Sequence, residues 1–130
     1  MARTLRMPTE TDLPPGPVRD FVELLFRFYR EARRPTLREI SDTILKGDYV
    51  GTASPETIRR MLRGTTVPAH WETVEAVYRA LCELAAKDPE GRMTLGRQSA
   101  TIRAFFEQRW HYALDNPEMR YVQFGDEPPF

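Results

Sequence analysis

TLREISDTILKGDYVGTASPETIRRMLRG, residues 36–64, contains two short amphipathic segments, and each carries its own start signal. In Thr36-Leu-Arg-Glu39 the threonine hydroxyl accepts the backbone N–H three residues on and Glu39 reaches back, the capping box that opens a helix. Leu37, Ile40 and Ile44, with Leu45 beside them, then form an apolar stripe at helical spacing. Ser54-Pro55-Glu56 sets a serine at the N-cap, a proline in the first turn and an acid beside it, a second start signal. Ile58, Met61 and Leu62 face inward, and Gly64 ends the segment as a left-handed C-terminal glycine does. With the aliphatic side fixed, helical geometry turns Pro55, Glu56, Arg59, Arg60 and Arg63 outward.

Working outward, Val18, Phe21, Val22, Leu25, Phe28 and Tyr29 predict a helix from about Val18 to Ala32, led in by Gly16-Pro17 and stopped by Arg34-Pro35. Trp71, Val74, Val77, Tyr78, Leu81 and Leu84 predict another, from Ala69 or Trp71 to Ala86. Ile102, Phe105, Phe106, Trp110, Ala113 and Leu114 predict a last one from Ser99 to Leu114, closed by Asn116-Pro117. No alternating run supports a strand, and only Tyr49-Val50 suggests a short extended stretch. The expected fold is all-α, with about five helices in a single domain over residues 17–115. The Pro-rich ends, residues 1–16 and 116–130, are expected to be flexible arms.

The chain has 130 residues, 41% of them hydrophobic and 29% charged, enough apolar material for a core and too much for disorder. Formal net charge is zero, which argues against nucleic-acid binding, since such domains are usually basic. The distribution argues the other way. From Arg27 to Gly64 there are nine Lys or Arg against five Asp or Glu, and from Trp110 to Phe130 one against four. The cations are almost all arginine, the side chain suited to bidentate contacts with phosphate and guanine; a GC-rich coding genome would produce the same bias.

The order of the segment capped by Thr36, the Ser54–Gly64 segment, Val67-Pro68 and Trp71-Glu-Thr-Val-Glu-Ala-Val-Tyr-Arg-Ala-Leu81 resembles the Cro/repressor-like (Xre-type) helix-turn-helix family of DNA-binding proteins, over about Phe21 to Ala85. The resemblance implies a sequence-specific transcriptional regulator with a repressor-like helix-turn-helix core at 36–64, an extra C-terminal helix, and double-stranded DNA as partner. It places base-reading side chains at Pro55, Glu56 and Arg60, and sets Thr57 near the backbone. Arg60 suits guanine O6 and N7, Glu56 a cytosine amine, and Pro55 only apolar contact with a thymine methyl. Arg59, Arg63, Thr65, Arg38 and the N–H groups at the helix start capped by Thr36 suit phosphates. The connection Lys46–Ala53 is longer than the tight turn usual in the family, so Lys46 and Tyr49 are candidates for backbone or partner contact. The competing expectation is a helix-turn-helix scaffold that binds another protein rather than DNA.

The remaining residues carry blander expectations. Trp71 and Trp110 read as core or interface. His70 and His111 have no Cys or His at metal-ligand spacing, so neither a metal nor any cofactor is expected. Cys82, the one cysteine, reads as a buried structural thiol. Glu72, Glu75 and Glu83 read as exposed, with Glu75 and Arg79 an i, i+4 pair. The aromatic stripe of the 99–114 helix is expected to close the core, the alternative being a homodimer contact. No nucleophile–base or acid–base set can be assembled, so no catalysis is expected. The absence of a signal-peptide pattern and of a long apolar run makes the cytoplasm, with no membrane contact, the expected location.

Overall fold

Pro17 suits the first position of a helix by its fixed φ and missing N–H, and Asp20 in the first turn and Arg30 in the last suit the dipole of the first helix, α1 (Pro17–Glu31), which buries Phe21, Val22, Leu25 and Phe26 completely. The structure, a computed structural model, describes residues 5–121. After α1 come α2 (Leu37–Lys46), α3 (Pro55–Arg63), α4 (Trp71–Leu84), an antiparallel hairpin of β1 (Arg92–Leu95) and β2 (Gln98–Thr101), and α5 (Ile102–Asp115). α1 lies against α3, α4 and α5, and α2 against α3 and α4. The outer portions of the two expected arms, residues 1–4 and 122–130, lie outside the described residues.

The hairpin corrects the expectation of a purely helical chain. Each strand is only four residues long, too short for an alternation to register, and the pairing Leu95↔Gln98 leaves Gly96-Arg97 as a two-residue turn. Gly96 takes φ +62 at the first turn position, the requirement of a type II′ turn. The hairpin also moves the start of the last helix from Ser99 to Ile102: Ser99 to Thr101 pair with β1, and the Thr101 side chain caps the helix by accepting from Ala104 N at 3.1 Å. Leu45 stands outside the stripe suggested for it, 71% exposed, because Ile40, Ser41 and Ile44 occupy the buried side of α2.

Three helices end in the same closure, with one residue at positive φ, its N–H on the carbonyl three back and the next N–H on the carbonyl five back. Gly64 does so at α3, with Thr65 N on Arg60 O. Ala86 does so at α4 with φ +55, and Arg33 at α1 with φ +64, followed by Arg34 at φ +51. Non-glycine residues in this conformation cost roughly 1–2 kcal/mol each.

An aromatic cluster joins α1, α4 and α5. Phe106 stacks on Phe21 with ring centroids 5.1 Å apart and meets Phe28 edge-on at 5.1 Å; Trp71 and Tyr78 lie at 6.0 Å. Trp110 Nε1 donates to Pro68 O at 2.7 Å, so the indole is buried with its polar atom satisfied. The stripe of α5 thus closes the core, with Phe105, Phe106 and Trp110 all buried within one chain.

The segments flanking the helices lie on this core. Leu5, Met7 and Leu13 are partly buried against it, and Arg19 Nη1 donates to Leu13 O at 2.6 Å. Tyr121 N donates to Pro15 O at 2.8 Å and its hydroxyl to Asp20 at 2.7 Å, so the C-terminal end of the described chain meets the segment that leads into α1.

Candidate nucleic-acid interface

α3 is set by its two ends and its buried side. Ser54 Oγ accepts from Thr57 N at 3.1 Å, Gly64 closes the other end, and Ile58, Met61 and Leu62 are almost completely buried. Pro55, Glu56, Arg59, Arg60 and Arg63 are all exposed on one helix, as expected. Thr57 is half-buried and its hydroxyl is engaged with that of Ser54 at 3.0 Å, and Thr65 is exposed just past the closing glycine.

The outward face is not a bare cluster of cations. Glu56 Oε1 receives Arg59 Nη2 at 2.7 Å, Oε2 receives Arg59 Nε at 3.0 Å, and Oε1 also receives Arg60 Nε at 3.1 Å. The Arg59 hydrogen bonds, then the charges of Arg59 and Arg60, hold the Glu56 carboxyl down at about 2. One carboxylate therefore ties two guanidiniums, while Arg63 pairs with no carboxylate among the described residues. Glu56 and Arg60 thus occupy each other. Such solvent-exposed pairs are screened and weak, so a stronger bidentate partner can displace them.

The capping box of α2 is present: Thr36 Oγ1 accepts from Glu39 N at 3.0 Å and Thr36 N donates to Glu39 Oε1 at 3.3 Å. Arg38, in the first turn, is exposed, as is Lys46 in the last. Eight positions separate them, about 12 Å along the helix.

The long connection between α2 and α3 is pinned to its neighbours. Ser41 Oγ donates to Ala53 O at 3.0 Å, and Ala53 is buried. Tyr49 turns onto α4, its hydroxyl 2.8 Å from Glu83 Oε2 and its ring 5.4 Å from the Arg79 guanidinium carbon. Burial and the Glu83 carboxylate push the Tyr49 hydroxyl up to about 12. Tyr49 is thereby removed from the outer contacts suggested for it, and the suggested extended stretch at Tyr49-Val50 forms no strand. Arg79 is engaged here too, so the expected Glu75–Arg79 pair is replaced: Glu75 meets Arg103 of α5 at 3.6 Å, and Arg103 also meets Glu90 at 2.7 Å. Sequence spacing sees only neighbours on one helix, and Arg103 is brought in from another. Sequence reasoning also passed over Arg33 and Arg34, which mark the corner between α1 and α2; their only signal is a pair of arginines before Pro35.

Cys82 is buried and burial pushes its thiol up, away from the reactive thiolate. No helix among the described residues is long and apolar enough to cross a membrane. Comparison of the chain with protein-family profiles, with curated proteins and with solved structures returns no match.

Proposed function

We propose that this protein binds double-stranded DNA by inserting α3 into the major groove and acts as a transcriptional regulator without catalysis. The observation that supports this reading is a short helix held from behind by Ile58, Met61 and Leu62 that presents three arginines and one acid to solvent. A helix docked end-on in the groove meets base edges with its first turns and phosphates with its flanks. In this reading Arg60 and Glu56 contact bases, Pro55 touches a thymine methyl, and Arg59, Arg63 and Thr65 lie along the backbone. Thr36, Arg38, Lys46 and Thr57 add phosphate contacts from the periphery.

The test is equilibrium binding of the full chain to labelled duplexes. Arg60→Ala relaxes specificity at one base pair and costs roughly 1–3 kcal/mol, whereas Arg59→Ala or Arg63→Ala weakens all sequences about equally. Equal effects from all three would show that another side of α3 faces the groove. Ile58→Ala acts through folding instead, at about 2–5 kcal/mol, which a thermal melt separates from a binding defect.

A second reading, a scaffold that binds another protein, is favoured by Leu45 and Val50, which are 71% and 87% exposed at the end of α2 and in the connection after it. Salt separates the two. Contact with several phosphates weakens steeply as salt rises, and no binding to random duplex at low salt would leave only the protein-binding surface.

A further inference from the structure

Eight of the cations among the described residues are already engaged. Arg19, Arg27, Arg59, Arg60, Lys87 and Arg103 each lie within 4.0 Å of a carboxylate, Arg79 lies over Tyr49, and Arg109 donates to Asp20 O. A different condition holds where α1 turns into α2. Arg30, Arg33, Arg34 and Arg38 fall within nine consecutive residues, all are exposed, and none pairs with a carboxylate among the described residues. The exposed Arg6 arrives beside them, because Arg34 Nη1 donates to the carbonyl of its neighbour Leu5 at 3.0 Å.

The corner is built rather than loose. Arg33 and Arg34 both hold positive φ, Arg34 N donates to Tyr29 O at 3.0 Å, and Pro35 is buried behind them. It also has a definite relation to α3. Ser41, which holds the residue before the α3 N-cap, is five residues past Thr36, about 7.5 Å along α2. The other end of α3 abuts Val22, nine residues before Glu31, the last residue of α1, and so about 13.5 Å along α1. The two ends of α3 are thus tied to points about 7.5 and 13.5 Å, along α2 and α1, from the helix ends that flank this corner. The major groove is about 12 Å wide, so phosphates bordering a groove that holds α3 stand at a comparable distance.

We infer that Arg33 and Arg34, supported by Arg30 and Arg38, form a second grip on the duplex, on the phosphodiester backbone bordering the groove that α3 enters. The inference rests on the reading of α3 as the groove-entering helix. It adds contacts that carry no sequence information and contribute charge-dependent affinity.

The experiment is salt-dependent binding of the full chain to a random-sequence duplex, with thermal melts of every variant alongside. Arg33→Asn with Arg34→Asn removes both charges and keeps a residue type that tolerates positive φ. Arg33→Lys with Arg34→Lys keeps the charges. The asparagine pair is expected to lower the slope of log affinity against log salt by about 2 and to weaken low-salt binding more than about ten-fold, with the lysine pair close to the unaltered chain. Should the asparagine pair bind with an unaltered slope while Arg60→Ala weakens binding, the corner grip is wrong and the α3 reading stands. A lysine pair as weak as the asparagine pair overturns the grip as well, since charge would not be what acts. No binding by the unaltered chain at low salt overturns both.

Discussion

Glu56 sits four residues before Arg60 and three before Arg59, and its two oxygens meet both guanidiniums. The consequence is electrostatic restraint. The outward face of α3 offers two of its three arginines only after a carboxylate lets go. Because the carboxyl is held at about 2 against an ordinary 4.5, its ion pairs are complete above about pH 4.5 and are lost only as pH falls from there through 2. An NMR titration should place the Glu56 midpoint near 2; a midpoint near 4.5 would mean that the clamp does not persist in solution. Glu56→Gln should leave the fold intact, free both arginines, and tighten binding to random duplex at low salt while discrimination at its base pair falls. Weaker binding by this variant would count against the restraint.

At the scale of elements, the angle between α2 and α3 depends on an eight-residue connection rather than on a tight turn. Its rigidity comes from contacts: Ser41 to Ala53, Tyr49 to Glu83, and a close approach of Gly51 to α4. A Cβ on Gly51 would stand 2.0 Å from Glu72 O and 2.9 Å from Thr73 N, both backbone atoms that cannot yield. Gly51→Ala should therefore destabilise by roughly 1–3 kcal/mol, read in denaturant unfolding. Val50→Ala next to it, at an exposed position, should stay within about 0.5 kcal/mol. Equal effects from the two would mean that the connection does not rest on α4.

Across the whole molecule, α5 is the element that joins α1, which lies against α3, to α4. Phe106 contacts aromatic rings from α1 and α4 at once and is fully buried, so Phe106→Ala leaves a cavity where three helices meet and should cost about 3–5 kcal/mol. If folding tolerates this loss, binding should weaken through the smaller folded fraction, with an unchanged salt slope. A changed slope would show that α5 takes part in the interface directly.

What the sequence determined by itself was local. Thr36-Leu-Arg-Glu39, Ser54-Pro55 and Gly64 mark helix ends through bonds that reach three to five residues, and Ile58, Met61 and Leu62 define the inward side of α3 by helical spacing alone. Those forces act between near neighbours, so they can be read from order. The tertiary structure decided the rest. Arg103 takes Glu75 from Arg79, Tyr49 folds onto α4, and the stripe of α5 goes into the core, because each partner comes from a distant part of the chain. The hairpin at 92–101 went unread because four-residue strands carry too few side chains to show a period. The corner arginines that pair with no carboxylate among the described residues became distinguishable only once the carboxylate-paired ones were known, since charge pairing depends on distance in space and not on spacing in sequence.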